Sequence, residues 1–273
     1  MGAYETTMKK LFLISILAMG AGQLRAQDRM TIPFRSTTQP RKLVVDSMLG
    51  SVTVRGYEGQ EVIVESSGGS AGRKPKKAQE PPPGMHRIGP ASGDIQASEE
   101  NNVVKVTGGI FSGGADLVIQ VPIQTAVSVK TMSGREILIE NVSGEIEANN
   151  MNGRVNIVNV SGSVVAHSMN GKVTASLNTV MPDKAMSFST FNGDVDVTLP
   201  AAIKANVKMK TDRGDMFTDF DIQLDSQPRS ITEKDKSGRV RVRADRTTVG
   251  LINGGGPEIQ FTSFNGDILI HKK

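Results

Sequence analysis

Residues 142–175 read VSGEIEANNMNGRVNIVNVSGSVVAHSMNGKVTA and repeat one short pattern. An apolar residue is followed by Ser or Asn, then by Gly, and then by alternating polar and apolar residues. Alternation with a period of two places one face of a β-strand inward and the other face in water. Asn-Gly and Ser-Gly are turn signals, because Gly accepts a positive φ without a steric penalty. The stretch therefore predicts short strands separated by turns.

The same pattern recurs on both sides of this stretch. Met132-Ser133-Gly134 begins a copy with one extra residue, and Leu49-Gly50 begins an early, weaker copy. Later copies begin at Phe191-Asn192-Gly193 and at Phe264-Asn265-Gly266. A strand of about five residues cannot bury its apolar face alone, so the copies have to stack on one another.

The copies are of two alternating kinds, which predicts a coil of two strands with a turn at each side. Met132, Met151 and Met169 begin one kind, and Val142 and Val160 begin the other. Stacked coils would form an all-β fold, a single parallel β-solenoid with an apolar core and almost no helix. The alternative is a β-sandwich, because Asn-Gly is also the strongest hairpin signal.

The N-terminal segment, residues 1–26, has the features of a secretory signal peptide. Lys9 and Lys10 form a basic region, residues 11–21 form an apolar region, and Ala26 offers a small residue for cleavage. The apolar run is short for a permanent membrane-spanning helix, although an uncleaved anchor is the alternative. We therefore expect an exported protein of the periplasm, the cell surface or the extracellular medium.

Residues 27–273 are expected to form one β-strand-repeat domain. Residues 66–102 are rich in Gly, Pro, Lys and Glu and include Pro81-Pro82-Pro83, which predicts a flexible loop. No later segment is apolar for long enough to form a transmembrane helix, so we expect no membrane span in the mature chain.

The composition excludes several classes of function. The chain has 273 residues and no cysteine, which excludes disulfides, thiol catalysis and thiolate metal sites. The net charge is +4, aromatic residues make up 4% and Trp is absent, with charges of both signs mixed along the chain. Nucleic-acid binders usually show a concentrated basic patch and aromatic stacking residues, so we expect no nucleic-acid partner.

Several later motifs carry a family resemblance. They are the Ser-Gly and Asn-Gly repeats, Leu199-Pro200-Ala201-Ala202, Thr211 ahead of Arg213-Gly214-Asp215, Asn253-Gly254-Gly255-Gly256-Pro257, and Phe264-Asn265-Gly266-Asp267-Ile268. Over roughly residues 40–270 the chain resembles the bacterial putative-adhesin family, known as domain-of-unknown-function family 4097. The resemblance implies an adhesin-like, surface-exposed or envelope-associated protein with no agreed activity and no catalytic residues to transfer.

Candidate catalytic and metal-binding residues are few. His86, His167 and His271 are the histidines of the chain, and no two of them have the spacing of metal ligands on one strand. Asp219 and Asp221 would share a strand face and could offer oxygen ligands to Ca²⁺, but a solvated acidic face is the simpler interpretation. We therefore expect no cofactor, no metal and no enzymatic activity.

A basic stripe is the one site-like feature that the repeat predicts. The residue after the turn Gly points outward, and in successive Met-led copies it is Arg135, Arg154 and Lys172. Stacked about 5 Å apart, these side chains could bind an anionic ligand, or they could simply form a solvated face.

These observations favour a non-enzymatic envelope or surface protein, an adhesin-like or scaffold module acting through exposed solenoid faces. Its expected partner is envelope polysaccharide or another envelope protein. The alternative is a carbohydrate-active enzyme or a polysaccharide-binding protein on the same scaffold, which would need convergent carboxylates or a bound Ca²⁺.

Overall fold

A computed structural model describes residues 28–67, 95–108, 115–225, 230–234, 240–244 and 247–273. These residues form strands, turns and bends, with no helix among them. The expected signal peptide lies outside the described residues, and so does most of the expected loop.

The described strands alternate between inward-facing apolar residues and outward-facing polar residues, as the period of two predicts. In chain order they are β1 (Asp28–Pro33), β2 (Lys42–Leu49), β3 (Val52–Tyr57), β4 (Glu61–Ser67), β5 (Ile95–Glu100), β6 (Val103–Gly108), β7 (Asp116–Pro122), β8 (Ala126–Ser133), β9 (Glu136–Glu140), β10 (Ser143–Asn152), β11 (Arg154–Asn170), β12 (Val173–Val180), β13 (Met186–Asn192), β14 (Val195–Leu199), β15 (Ala205–Arg213), β16 (Met216–Thr218), β17 (Ile222–Leu224), β18 (Ser230–Lys234), β19 (Val240–Ala244), β20 (Thr248–Ile252), β21 (Glu258–Asn265) and β22 (Ile268–Lys272).

Strand β5 lies inside the range 66–102, where we expected a loop. Its Ile95 and Ala97 are partly buried and pack against the core. This short alternation of apolar residues was hidden by the polar composition around it, so the loop prediction fails for these six residues.

Twenty of the described strands form one sheet of mainly parallel strands, which folds so that two halves of it face each other across the apolar core. We call the front sheet the strands that stack in the order β6, β2, β8, β10, the second half of β11, β13, β21 and β15. The back sheet contains, in the same order, β7, β3, β9, the first half of β11, β12, β14, β22 and β16. One coil consists of a front strand, the turn after it and the following back strand.

The central register confirms the solenoid-like stacking. Ile146 lies opposite Val164 and Ala148 opposite Ala166 in the parallel pair of β10 and β11. The chain therefore turns at Gly153 into the other sheet and does not fold back as an antiparallel hairpin. The β-sandwich of hairpins is thus wrong for this part of the stack.

The structure corrects the expectation of a purely parallel solenoid wound in chain order. The C-terminal coil, β21 and β22, inserts between the coils of β13–β14 and β15–β16. The N-terminal coil, β2 and β3, inserts in the same way between β6–β7 and β8–β9. Antiparallel strands extend both ends of the stack: β4 and β1 beside β7, β5 beside β6, and β20 and β17 beside β15.

The core shows why these insertions are stable. Phe261 of the inserted C-terminal coil is fully buried and packs on Phe188, with ring centroids 5.6 Å apart. On its other side Phe261 lies opposite Met209 of β15, which is also buried. Burying one such aromatic side chain contributes about 1.5–3 kcal/mol, so the inserted coil seals the core between two neighbours.

Candidate functional site

A column of glycines runs along one side of the stack, where each front strand turns into a back strand. In spatial order its members are Gly50, Gly134, Gly153, Gly171, Gly193, Gly266 and Gly214. A Cβ on Gly153 would lie 2.0 Å from the carbonyl oxygen of Gly134, and Gly153 has a φ of +150°. The backbones of successive coils therefore touch at this side, which we call the Gly corner.

An asparagine ladder lies next to the glycines. The side-chain amide of Asn170 donates to Oδ1 of Asn152 at 2.9 Å. Asn192 donates to Asn170 at 2.7 Å, and Asn265 donates to Asn192 at 2.7 Å. Asn170 and Asn192 thus each accept from one coil and donate to the next, which fixes the register of the corner.

An apolar stripe borders the ladder on the outer face of the front sheet. Its members occupy one register position in six successive coils: Met48, Met132, Met151, Met169, Phe191 and Phe264. Most of these side chains are exposed, with 47% of Met132 and 47% of Phe191 accessible to solvent. The rings of Phe191 and Phe264 stack with centroids 4.6 Å apart and planes 2° apart. Sequence analysis named several of these residues only as the first residues of the repeats.

A charged row borders the ladder on the other side, at the start of the back sheet. It contains the three basic residues that the sequence singled out, but Arg135 lies one position out of register with the other two. The register partner of Arg154 is Glu136, not Arg135. The extra residue in the copy that begins at Met132 is the cause, because it shifts Arg135 one position before β9.

Arg154 and Lys172 are neighbours in this row, since Val155 lies opposite Val173 in the parallel pair of β11 and β12. Both side chains are exposed, as is that of Arg135. Lys172 is already paired, because its Nζ lies 2.8 Å from Oδ2 of Asp196. The anionic-ligand stripe stays a prediction, with one of its three cations engaged by a carboxylate.

The charged row becomes acidic in its second half, which sequence analysis missed. Asp194, Asp267 and Asp215 follow Lys172 on three successive coils. Oδ1 of Asp194 accepts from the backbone N–H of Asp267 at 3.0 Å, and Oδ1 of Asp267 accepts from that of Asp215 at 2.9 Å. The signal was present in the sequence as a Gly-Asp pair in each of these three copies.

The residues considered for metal binding or catalysis do not converge. Asp219 and Asp221 lie in the bend between β16 and β17 and not on one strand face, and Asp219 accepts a hydrogen bond from the backbone N–H of Lys272 at 2.6 Å. Nδ1 of His167 lies 2.9 Å from the Ser189 hydroxyl. Across the described ranges, no group of three or more His, Asp or Glu side chains could hold a metal ion. His86 lies outside them.

A family model described as Toastrack DUF4097 matches residues 87–249. This chain belongs to that family. The Toastrack match confirms the resemblance that the turn motifs carried, and it spans the central coils that build the Gly corner. A search of curated proteins finds no match.

Two solved structures are similar to this Toastrack chain. One is a "putative cell adhesion protein" from Clostridium sporogenes, at 13% identity and a TM-score of 0.45, covering 91% of this chain and 100% of that one. The other is a "putative adhesin" from Bacteroides fragilis, at 13% identity and a TM-score of 0.38, covering 91% of this chain and 98% of that one.

The surface of this Toastrack chain is organised in rows. A shallow cavity of about 370 Å³ at the side opposite the Gly corner is mainly apolar, with Met181, Pro182 and Ile203 among its lining residues and Lys184 and Lys204 as its charged ones. It contains no carboxylate or imidazole that could act as a general acid or base. Within the described residues, no helix is long and apolar enough to cross a membrane. The rows of side chains at the Gly corner run along one edge of the stack, and this arrangement is suited to binding a partner along that edge.

Proposed function

We propose that this chain is a non-enzymatic, exported protein of the cell envelope or cell surface, an adhesin-like or scaffold module that acts through its exposed solenoid surfaces. One observation carries the proposal: the apolar stripe continues over six coils at the Gly corner. A contiguous apolar strip on a protein surface is typical of an interaction site.

The chemistry of the stripe favours a protein partner over polysaccharide. Sugars pack their C–H groups on the faces of aromatic rings, and here the two ring faces of Phe191 and Phe264 cover each other. The outer face of Phe264 lies beneath the guanidinium of Arg213, 5.7 Å from the ring centroid. Ring edges and flexible thioethers remain exposed, and methionine-rich surfaces adapt well to protein surfaces.

The described side chains also support a role without catalysis. Glycoside hydrolysis by general acid–base chemistry requires a pair of carboxyl groups that flank the scissile bond. The carboxylates of Asp194 and Asp267 accept backbone hydrogen bonds, and that of Asp196 lies against Lys172 and His271. These groups are spread along the row and are engaged by neighbours, so no observation favours the carbohydrate-active alternative.

The test is fractionation of the bacterium that encodes the protein, combined with protease treatment of intact cells. We expect the chain in the envelope fraction. A variant with Met151→Ser and Met169→Ser should move to the soluble exported fraction, because it loses the apolar contact with its protein partner. The matched control, Val165→Ser with Leu251→Ser, removes two apolar side chains of similar exposure elsewhere and should stay with the envelope. Recovery of the wild-type chain in the cytoplasm would refute the proposal.

A further inference from the structure

The Gly corner presents two different rows to any partner that covers it. Phe191, Asn192, Gly193 and Asp194 are consecutive, so the apolar stripe and the charged row lie on opposite sides of the asparagine ladder. Both rows run along the stack, one coil after another, at the spacing of neighbouring strands. A partner of this edge must therefore match an apolar row and a charged row at once.

Each row also changes character at the same point. Between the coil of Met169 and Lys172 and the coil of Phe191 and Asp194, the charged row turns from basic to acidic. At that same step the apolar stripe turns from methionine to phenylalanine. A polymer of uniform charge would match one half of the edge and be repelled by the other half.

We propose that the partner of the Gly corner is a second copy of this chain, docked antiparallel about a two-fold axis between those two coils. The axis brings Lys172 against Asp194 of the second copy and Arg154 against Asp267 of the second copy, and each pair occurs twice. For these two pairs the charge complementarity follows from the register of the charged row. The inference rests on the proposed function only in taking the apolar stripe as an interaction surface.

The same axis matches the apolar stripe independently. With the two-fold perpendicular to the sheets, front side meets front side, so Met169 lies against Phe191 of the second copy and Met151 against Phe264 of the second copy. Contacts between a thioether and an aromatic ring edge are favourable. A parallel arrangement, about a two-fold along the stack, would instead turn front side against back side and place the apolar stripe of one copy against the charged row of the other. One symmetry operation therefore pairs both rows, and the isologous contact closes at two copies.

The dimer also gives the proposed function a physical advantage. Two copies joined at their Gly corners leave the remaining outer surfaces free and display them twice. Two linked binding surfaces hold a repetitive envelope more strongly than one. The edge is narrow, so we expect a weak dimer whose population rises with protein concentration.

Two charge-reversal variants of the full chain provide the test, measured by sedimentation equilibrium. Variant A carries Arg154→Asp and Lys172→Asp, which makes the four central positions of the charged row acidic. Variant B carries Asp194→Lys and Asp267→Lys, which makes the same four positions basic. Each variant alone should dimerise at least about tenfold more weakly than the wild type, since like charges then face each other. An equimolar mixture of A and B should restore dimerisation.

Matched controls separate the edge from general charge effects. Lys105→Asp with Lys184→Asp makes the same change in net charge as variant A at exposed sites away from the corner, and should dimerise like the wild type. Met169→Ser should weaken the dimer, whereas Val165→Ser, with 45% exposure against 44% for Met169, should not. Asp194 and Asp267 accept backbone hydrogen bonds, so their substitution also removes contacts within the chain. If variant B does not fold, two measurements test the inference without it. They are the dimerisation of variant A compared with that of its control, and the salt dependence of wild-type dimerisation.

A wild-type chain that stays monomeric at high concentration overturns the inference. So does a dimer that variant A and Met169→Ser leave unchanged. The envelope role is tested separately in cells: a monomer retained by the envelope overturns only the dimer, and a dimer found in the cytoplasm overturns only the envelope role.

Discussion

Phe191 and Phe264 stack face to face at the Gly corner, although they lie 73 positions apart in the sequence, as do the Asn residues that follow them. Behind them, Phe188 and Phe261 make the equivalent contact inside the core. Both contacts exist because the C-terminal coil inserts between two earlier coils. The last strands of the chain thus close the stack from within.

The paired phenylalanines predict unequal effects of the same substitution. Phe261→Ala should lower the free energy of unfolding by about 3–5 kcal/mol, because it opens a cavity between Phe188 and Met209. Phe264→Ala should lower it by only about 1 kcal/mol, since that ring is partly exposed and loses mainly its stacking contact. Urea denaturation followed by circular dichroism measures both. Equal losses would contradict the insertion of β21 as described.

The glycine column predicts a large effect from a single methyl group. Gly153→Ala should destabilise the fold by about 2–6 kcal/mol, because the new Cβ meets the carbonyl of Gly134 and the backbone has positive φ. Gly254→Ala is the matched control: φ is +84°, but nothing lies within 4 Å of the added Cβ. It should lose only about 1–2 kcal/mol from backbone strain. Thermal unfolding of the two variants should rank them in this order.

The asparagine ladder predicts a smaller, local effect. Asn170→Ala removes one hydrogen bond to Asn152 and one from Asn192, so we expect a loss of about 1–2 kcal/mol. Asn156→Ala, on the outer face of the back sheet, should stay within about 0.5 kcal/mol of the wild type. Amide hydrogen exchange should show faster opening at the corner in the first variant. Unchanged exchange there would mean that the ladder does not hold the coils in register.

The sequence predicted the local structure well and the neighbours of each strand poorly. The period of two and the Gly turns indicate where strands lie and which side chains face inward, as Val155 and Ile157 show. They carry no information on which coil packs beside which, because all copies present similar apolar faces. The insertion of the two terminal coils therefore could not be deduced from the repeat.

The candidate site was predictable in part. Arg154 and Lys172 were placed as neighbours from the repeat, and the structure brings them together. Arg135 lies one position away from where the repeat predicts it, because the extra residue after Gly134 shifts the register. The acidic half of the row depends on Asp267 lying between Asp194 and Asp215, which only the insertion of the C-terminal coil brings about.

The basic stripe makes a prediction that separates an anion site from a solvated face. Replacing Arg135, Arg154 and Lys172 by Ser should leave the fold intact, since all three side chains are exposed. If the stripe binds anions, the variant lacks the three cations that hold the wild type on a dextran sulfate column. It should therefore elute at lower salt than the wild type, since less salt is needed to screen the charges that remain.

The control for that experiment removes the same charge from other exposed sites. Lys105→Ser, Lys130→Ser and Lys184→Ser take away three lysines whose partners are Asp46, Glu147 and Glu145. These three carboxylates lose their ion-pair partners, so the control should elute slightly earlier than the wild type but later than the stripe variant. Lys172 is the member of the stripe held by a carboxylate, and Asp196→Asn should therefore free it and delay elution. Identical elution of the stripe variant and the control would show that Arg135, Arg154 and Lys172 form a solvated face and not an anion site.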